Sequence, residues 1–125
     1  VELLKSTGEP TQIVDRMLGY RDQQGMDLAD ITPLVFVPGD HEREIELTTG
    51  IVRVAAQKRV SGSLVVPKTA DQFKGCESTA VVLWIEGRKV DEEMQKYIYM
   101  TASRAKAHLT IVAEDEVLDF VRTAI

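Results

Sequence analysis

Arg104 sits in a run, Lys96-Tyr97-Ile98-Tyr99-Met100-Thr101-Ala102-Ser103-Arg104-Ala105-Lys106, where residue type and spacing could support chemistry. Met94, Ile98, Thr101, Ala102 and Ala105 recur at helical spacing and so form one apolar face. The pattern predicts an amphipathic helix whose last turn carries Arg104, shortly before the β-type run Leu109-Thr110-Ile111-Val112. A cation in the last helical turn is favoured by the dipole. An arginine there also offers a rigid fork of donors matched to phosphate or carboxylate. A second stretch, Thr69-Ala70-Asp71-Gln72-Phe73-Lys74-Gly75-Cys76-Glu77, places a hydroxyl, a cation, a glycine and a carboxylate just ahead of the most apolar strand. Between Gly62 and Thr69 the sequence imitates the phosphate-cradling pattern Gly-x4-Gly-Lys-Thr. The imitation fails physically. Pro67 replaces the second glycine and removes a backbone N–H the cradle would use. Leu64-Val65-Val66 reads as strand, whereas the cradle must follow a strand.

Other chemistries find little support. Cys76 is the only cysteine, so no intrachain disulfide forms, which fits a reducing compartment. A catalytic thiol needs a base and an orienting group, and neither His41 nor His108 stands near it in sequence. One cysteine and two scattered histidines offer no zinc spacing, so no metal site is expected. The net charge of −5 argues against a wholly basic nucleic-acid coat. The charge is unevenly spread, however. Residues 47–70 contain no acid but hold Arg53, Lys58, Arg59 and Lys68, a local stripe that could track phosphates. Acids crowd 40–46 and 114–119.

The elements that would position these residues alternate between strand and helix. At 125 residues, 44% apolar and 28% charged, the chain 1–125 is expected to be one soluble globular domain. Because it starts at Val1, it is expected to be excised from a longer chain. No signal peptide or membrane-length apolar run is visible, and a cytoplasmic location without membrane contact is expected. Residues 1–5 read as a strand, 10–24 as an amphipathic helix stopped by Gly25, and 30–37 as a strand with Pro33 near its start or on an edge. The segment 41–47 reads as a short helix. Residues 51–55 and 63–66 read as short strands after turns at Gly50 and Gly62, together a basic hairpin-like unit. The continuous apolar run 79–85 implies burial on both faces in mid-sheet. A helix at about 91–106, a strand at 107–113 and a final helix capped by Asp115 complete an α/β pattern with a mainly parallel sheet. Val81, Leu83, Ile85, Leu109 and Ile111 are expected in the core, with Trp84 at least partly covered.

Two of these stretches resemble consecutive motifs of superfamily 1 helicases of the UvrD/Rep type. Ile98 to Lys106 resembles the family's last motif, Leu-Tyr-Val-Ala-Leu-Thr-Arg-Ala-Arg, with Ser103 in place of Thr and Lys106 in place of Arg. Thr69 to Glu77 resembles the preceding motif, Thr-x-His-x-x-Lys-Gly-Leu-Glu before an apolar strand. Thr69, Lys74, Gly75 and Glu77 match by position; Asp71 stands where the family has His, Cys76 where it has Leu, and Ser78 where it is apolar. Two motifs in the right order weigh more than either alone.

The resemblance implies a three-layer RecA-like domain without its own P-loop, the second motor domain of an ATP-dependent DNA helicase. It implies that Arg104 is an arginine finger acting on the γ-phosphoryl group. Glu77, with Gly75 and Lys74, would contact the nucleotide. Thr69 and the basic set Arg53, Lys58, Arg59 and Lys68 would contact single-stranded DNA, RNA not being excluded. ATP and Mg²⁺ would be held mainly by the first RecA-like domain of the same parent chain, so this fragment alone would be inactive. A second reading is a vestigial or regulatory RecA-like module that binds nucleic acid or protein without ATPase activity. A receiver domain would suit the length, but it needs an acidic pair after the first strand, and Lys5-Ser6-Thr7-Gly8 supplies none.

Overall fold

The computed structural model describes residues 1–60, 67–73 and 75–124. The chain runs β1 (Glu2–Lys5), α1 (Pro10–Gln24), a 3₁₀ turn (Leu28–Asp30), β2 (Ile31–Phe36), α2 (His41–Gln57), β3 (Lys68–Thr69), α3 (Ala70–Phe73), β4 (Ser78–Ile85), α4 (Glu92–Arg104), β5 (Ala105–Ala113) and α5 (Asp115–Ala124). The strands form one sheet in the order β1-β5-β4-β2-β3, and every pairing is parallel. Such pairings need crossovers, which the helices supply.

Helices α1 and α2 cover one face and α4 and α5 the other, giving two cores either side of the sheet. Strand β4 explains why residues 80–85 of the run 79–85 are apolar throughout, while Thr79 is exposed. Ala80, Val82 and Trp84 enter the first core, while Val81, Leu83 and Ile85 enter the second. The expected core residues are all buried, and Trp84 is 1% exposed. Pro33 is the third residue of β2, and β3 begins only opposite Leu34. Its missing N–H therefore falls where β2 has a neighbour on one side only.

Three expectations fail in informative ways. Residues 51–55 are not a strand: α2 continues through them for 17 residues. Leu47, Ile51 and Ala55 make its buried stripe, and this tertiary burial outweighs the β-branched preference of Ile51-Val52. Gly50 marks no turn. A Cβ there would meet Pro10 Cγ at 2.8 Å, so glycine allows α1 and α2 to approach closely. Asp115 is the first residue of α5 rather than its cap, and its carboxylate holds Lys5 Nζ at 2.9 Å. The expected strand at 63–66 and the residue Ile125 lie outside the described residues, and no hairpin follows from α2's actual course.

Helix α2 ends in a Schellman motif. The Arg59 N–H donates to the Ala56 carbonyl and the Val60 N–H to the Ala55 carbonyl, with Arg59 at φ 59°. That left-handed position favours glycine, and an L-residue there costs about 1 kcal/mol or more. Arg59→Gly should therefore stabilise the domain by about 0.5–1 kcal/mol, read as a higher urea midpoint at unchanged slope. A lower midpoint would mean that the Arg59 side chain makes a compensating contact.

Candidate functional site

The two motifs meet at the amino ends of β4 and β5. Helix α4 starts on Asp91, whose Oδ1 accepts the Met94 N–H at 2.9 Å. It buries Met94, Tyr97, Ile98 and Thr101, which fixes its roll and brings its last residue, Arg104, out at the sheet edge. Strand β5 begins immediately at Ala105, in register with Ser78. Glu77 and Arg104 thus each stand one residue before a paired position on adjacent strands. The start of β4 is pinned to β2: the Thr32 hydroxyl donates to Ser78 Oγ at 2.9 Å, and Ser78 Oγ lies 2.9 Å from the Ala80 carbonyl.

A register irregularity follows at once. Ser78 pairs with Ala105, but Ala80 pairs with His108, so β5 carries one extra residue. Lys106 and Ala107 are consecutive exposed residues there, breaking strand alternation. Lys106 Nζ lies 3.3 Å from Glu77 Oε2, with both side chains more than half exposed. The pairing of Lys106 with Glu77 was not legible from sequence; it depends on the register and the bulge. Arg104 is half-buried, and among the described residues it has no hydrogen-bond or ion-pair partner. No internal carboxylate locks it. Gly75 is exposed at φ +82°, the left-handed turn that leads into β4. Lys74 lies outside the described residues.

The expected nucleic-acid contacts divide between the two ends of the sheet. Helix α2 runs back antiparallel to the strands, so its end brings Arg53, Lys58 and Arg59 toward the amino edge. All three are exposed, with Lys58 Nζ held 2.9 Å from Asp15. Lys68 and Thr69 pair with Leu34 and Val35, toward the carboxyl end of β2. Thr69, the expected phosphate-backbone contact, is 2% exposed, and its buried hydroxyl has no partner among the described residues. It occupies a short strand beneath α2, and its N–H donates to Gln72 Oε1 at 3.0 Å. Lys68 and Thr69 are strand residues, which also removes them from any cradle geometry of their own.

The all-parallel five-stranded sheet with helices on both faces is a three-layer α/β fold that matches a RecA-like domain. No family model matches the chain. No curated protein matches its sequence either. Among solved structures, it is similar to the C-terminal domain of a possible DNA helicase from Lactobacillus plantarum WCFS1. The TM-score is 0.66 at 19% identity, over 90% of this chain and 73% of that one. The likeness is one of fold. No helix among the described residues is long and apolar enough to cross a membrane.

Proposed function

We propose that this chain is the second motor domain of an ATP-dependent superfamily 1 DNA helicase. One observation supports the reading: an arginine at a helix end that has no partner among the described residues, on the sheet edge that also presents Glu77. The residues present fit half of a nucleotide site. Arg104 offers a planar donor fork for a phosphoryl group supplied from a facing domain, and Glu77 an acceptor for a sugar hydroxyl. They do not fit a complete site, since Lys68 and Thr69 are tied into β3. ATP with Mg²⁺ would therefore be held mainly by a first RecA-like domain, and closure of the two domains would bring Arg104 to it. Bound ATP supplies the transferable phosphoryl group. This chain contributes positive charge, orientation and a second wall that excludes water.

The basic end of α2 would track a single strand of DNA, with RNA as the variant substrate. A labelled oligonucleotide titrated at two salt concentrations tests this. Binding should weaken steeply with salt, and the Lys58→Glu, Arg59→Glu double variant should flatten the slope by about two ions. An affinity indifferent to salt or to this charge reversal would remove the nucleic-acid role. The burial of Thr69 favours a second reading, a RecA-like module that binds protein or nucleic acid without ATPase activity. A P-loop and magnesium-binding acids in the same polypeptide would support the motor, and their absence the module.

A further inference from the structure

At the end of the sheet away from Glu77 and Arg104, a cleft of about 620 Å³ opens beside the carboxyl end of β2. That volume lies within the range of ordinary ligand pockets. Its position follows from topology. The helices that follow the neighbouring strands β2 and β4 leave from opposite faces, so a crevice opens between their carboxyl ends. The apolar part of its lining comes from Phe36 and Tyr97, stacked with ring centroids 4.0 Å apart, and from Val37 and Met100.

A buried carboxylate lies beside these rings. The Glu44 side chain is 7% exposed; its Oε2 accepts the Val37 N–H at 2.9 Å, and its Oε1 lies 3.2 Å from His41 Nδ1. Asp40 and Glu93 add two more carboxylates to the lining. Against these three stands one full cation, Lys96, whose Nζ is 3.3 Å from Glu92. The nearby Arg43 does not line the cleft. Its Nε and Nη2 clasp Glu86 at 2.8 and 3.2 Å, and its Nη1 holds Glu46 at 3.0 Å. A carboxylate taken out of water is costly unless paired with positive charge. Among the described residues no three metal-binding groups gather to hold an ion. Apolar walls leading to a carboxylate suit a side chain with a hydrocarbon stem and a charged head. Phosphates would meet like charge here.

We propose that this cleft receives a basic side chain, arginine or lysine, presented by a positively charged segment of a partner polypeptide. The walls take the stem, and Glu44, with the rim acids, takes the head. The test uses the isotope-labelled 125-residue chain. It is titrated by NMR with a blocked arginine pentapeptide, its lysine form, and the uncharged citrulline form. The two basic peptides should shift the amides of Val37, His41 and Tyr97 saturably, and the citrulline form should not. E44Q keeps an oxygen for the Val37 amide and should weaken binding about ten-fold or more. E93Q, an exposed rim change that spares the fold, should weaken it about two- to five-fold. Four results overturn the proposal: equal binding of the citrulline peptide, shifts centred on residues 114–119, E44Q and E93Q both binding like the unaltered chain, or the same amides responding to an oligothymidine instead.

Discussion

In a complete two-domain motor containing this chain, Arg104→Ala is expected to lower the turnover of nucleic-acid-stimulated ATP hydrolysis by about 10³–10⁵-fold. Nucleotide affinity should change little. A finger acts on charge that develops in the transition state, so its loss appears in kcat rather than in KM. Arg104→Lys should restore little, because a point charge lacks the planar fork. The fold should tolerate either change. Among the described residues Arg104 has no ion-pair partner to orphan, and a helix-end cation contributes at most about 1 kcal/mol when exposed. Single-turnover hydrolysis beside equilibrium binding of a fluorescent nucleotide separates the two effects. A variant that loses binding and turnover in equal proportion would place Arg104 in ground-state contact and deny it the finger's role.

The second large effect is on stability. Trp84→Ala should cost about 3–5 kcal/mol. Trp84 is 1% exposed on a central strand, in the core formed with α1 and α2, and no neighbour can collapse into a space that size without shifting the sheet. Domains of this kind are held by only about 5–15 kcal/mol, so much of the margin would go. Because Trp84 is the only tryptophan, unfolding must be followed by far-ultraviolet circular dichroism in urea. A midpoint lowered at constant slope is expected. A change below about 1 kcal/mol would mean the core repacks around the loss.

Sequence patterns delivered the parts of this molecule governed by local periodicity. Helix α1 runs from Pro10 to Gln24 as its apolar spacing and Gly25 demanded, and β4 is buried on both faces as its unbroken apolar run required. They failed where a local preference was overruled from a distance. Ile51 and Val52 look like strand residues, yet Ile51 belongs to a helical stripe anchored against α1, and Gly50 serves a helix contact that only the fold reveals. The same division holds for the sites. Arg104 and Glu77 were visible as motif residues, and the topology puts them on one edge. Lys106's hold on Glu77 depends on an extra residue in β5, which leaves no trace in spacing. The cleft was invisible for a simpler reason. Asp40 and Glu44 come from the start of α2, while Glu93 and Tyr97 come from α4, and no motif joins segments some fifty residues apart.

Strand β4 has a mechanical consequence. Its eight residues span about 26 Å, from beside the Glu77–Arg104 edge to the cleft beyond Ile85. It is hydrogen-bonded on both sides and packed on both faces, so it resists stretching and cannot slip by one residue without turning its two cores inside out. A load applied at either end is therefore transmitted as a rotation of the whole body. A change of angle of about ten degrees at the Glu77–Arg104 edge would swing the far end by roughly 4–5 Å along an arc of that radius. If the domain turns as one body in a two-domain motor, a polypeptide gripping the cleft would ride on its far end.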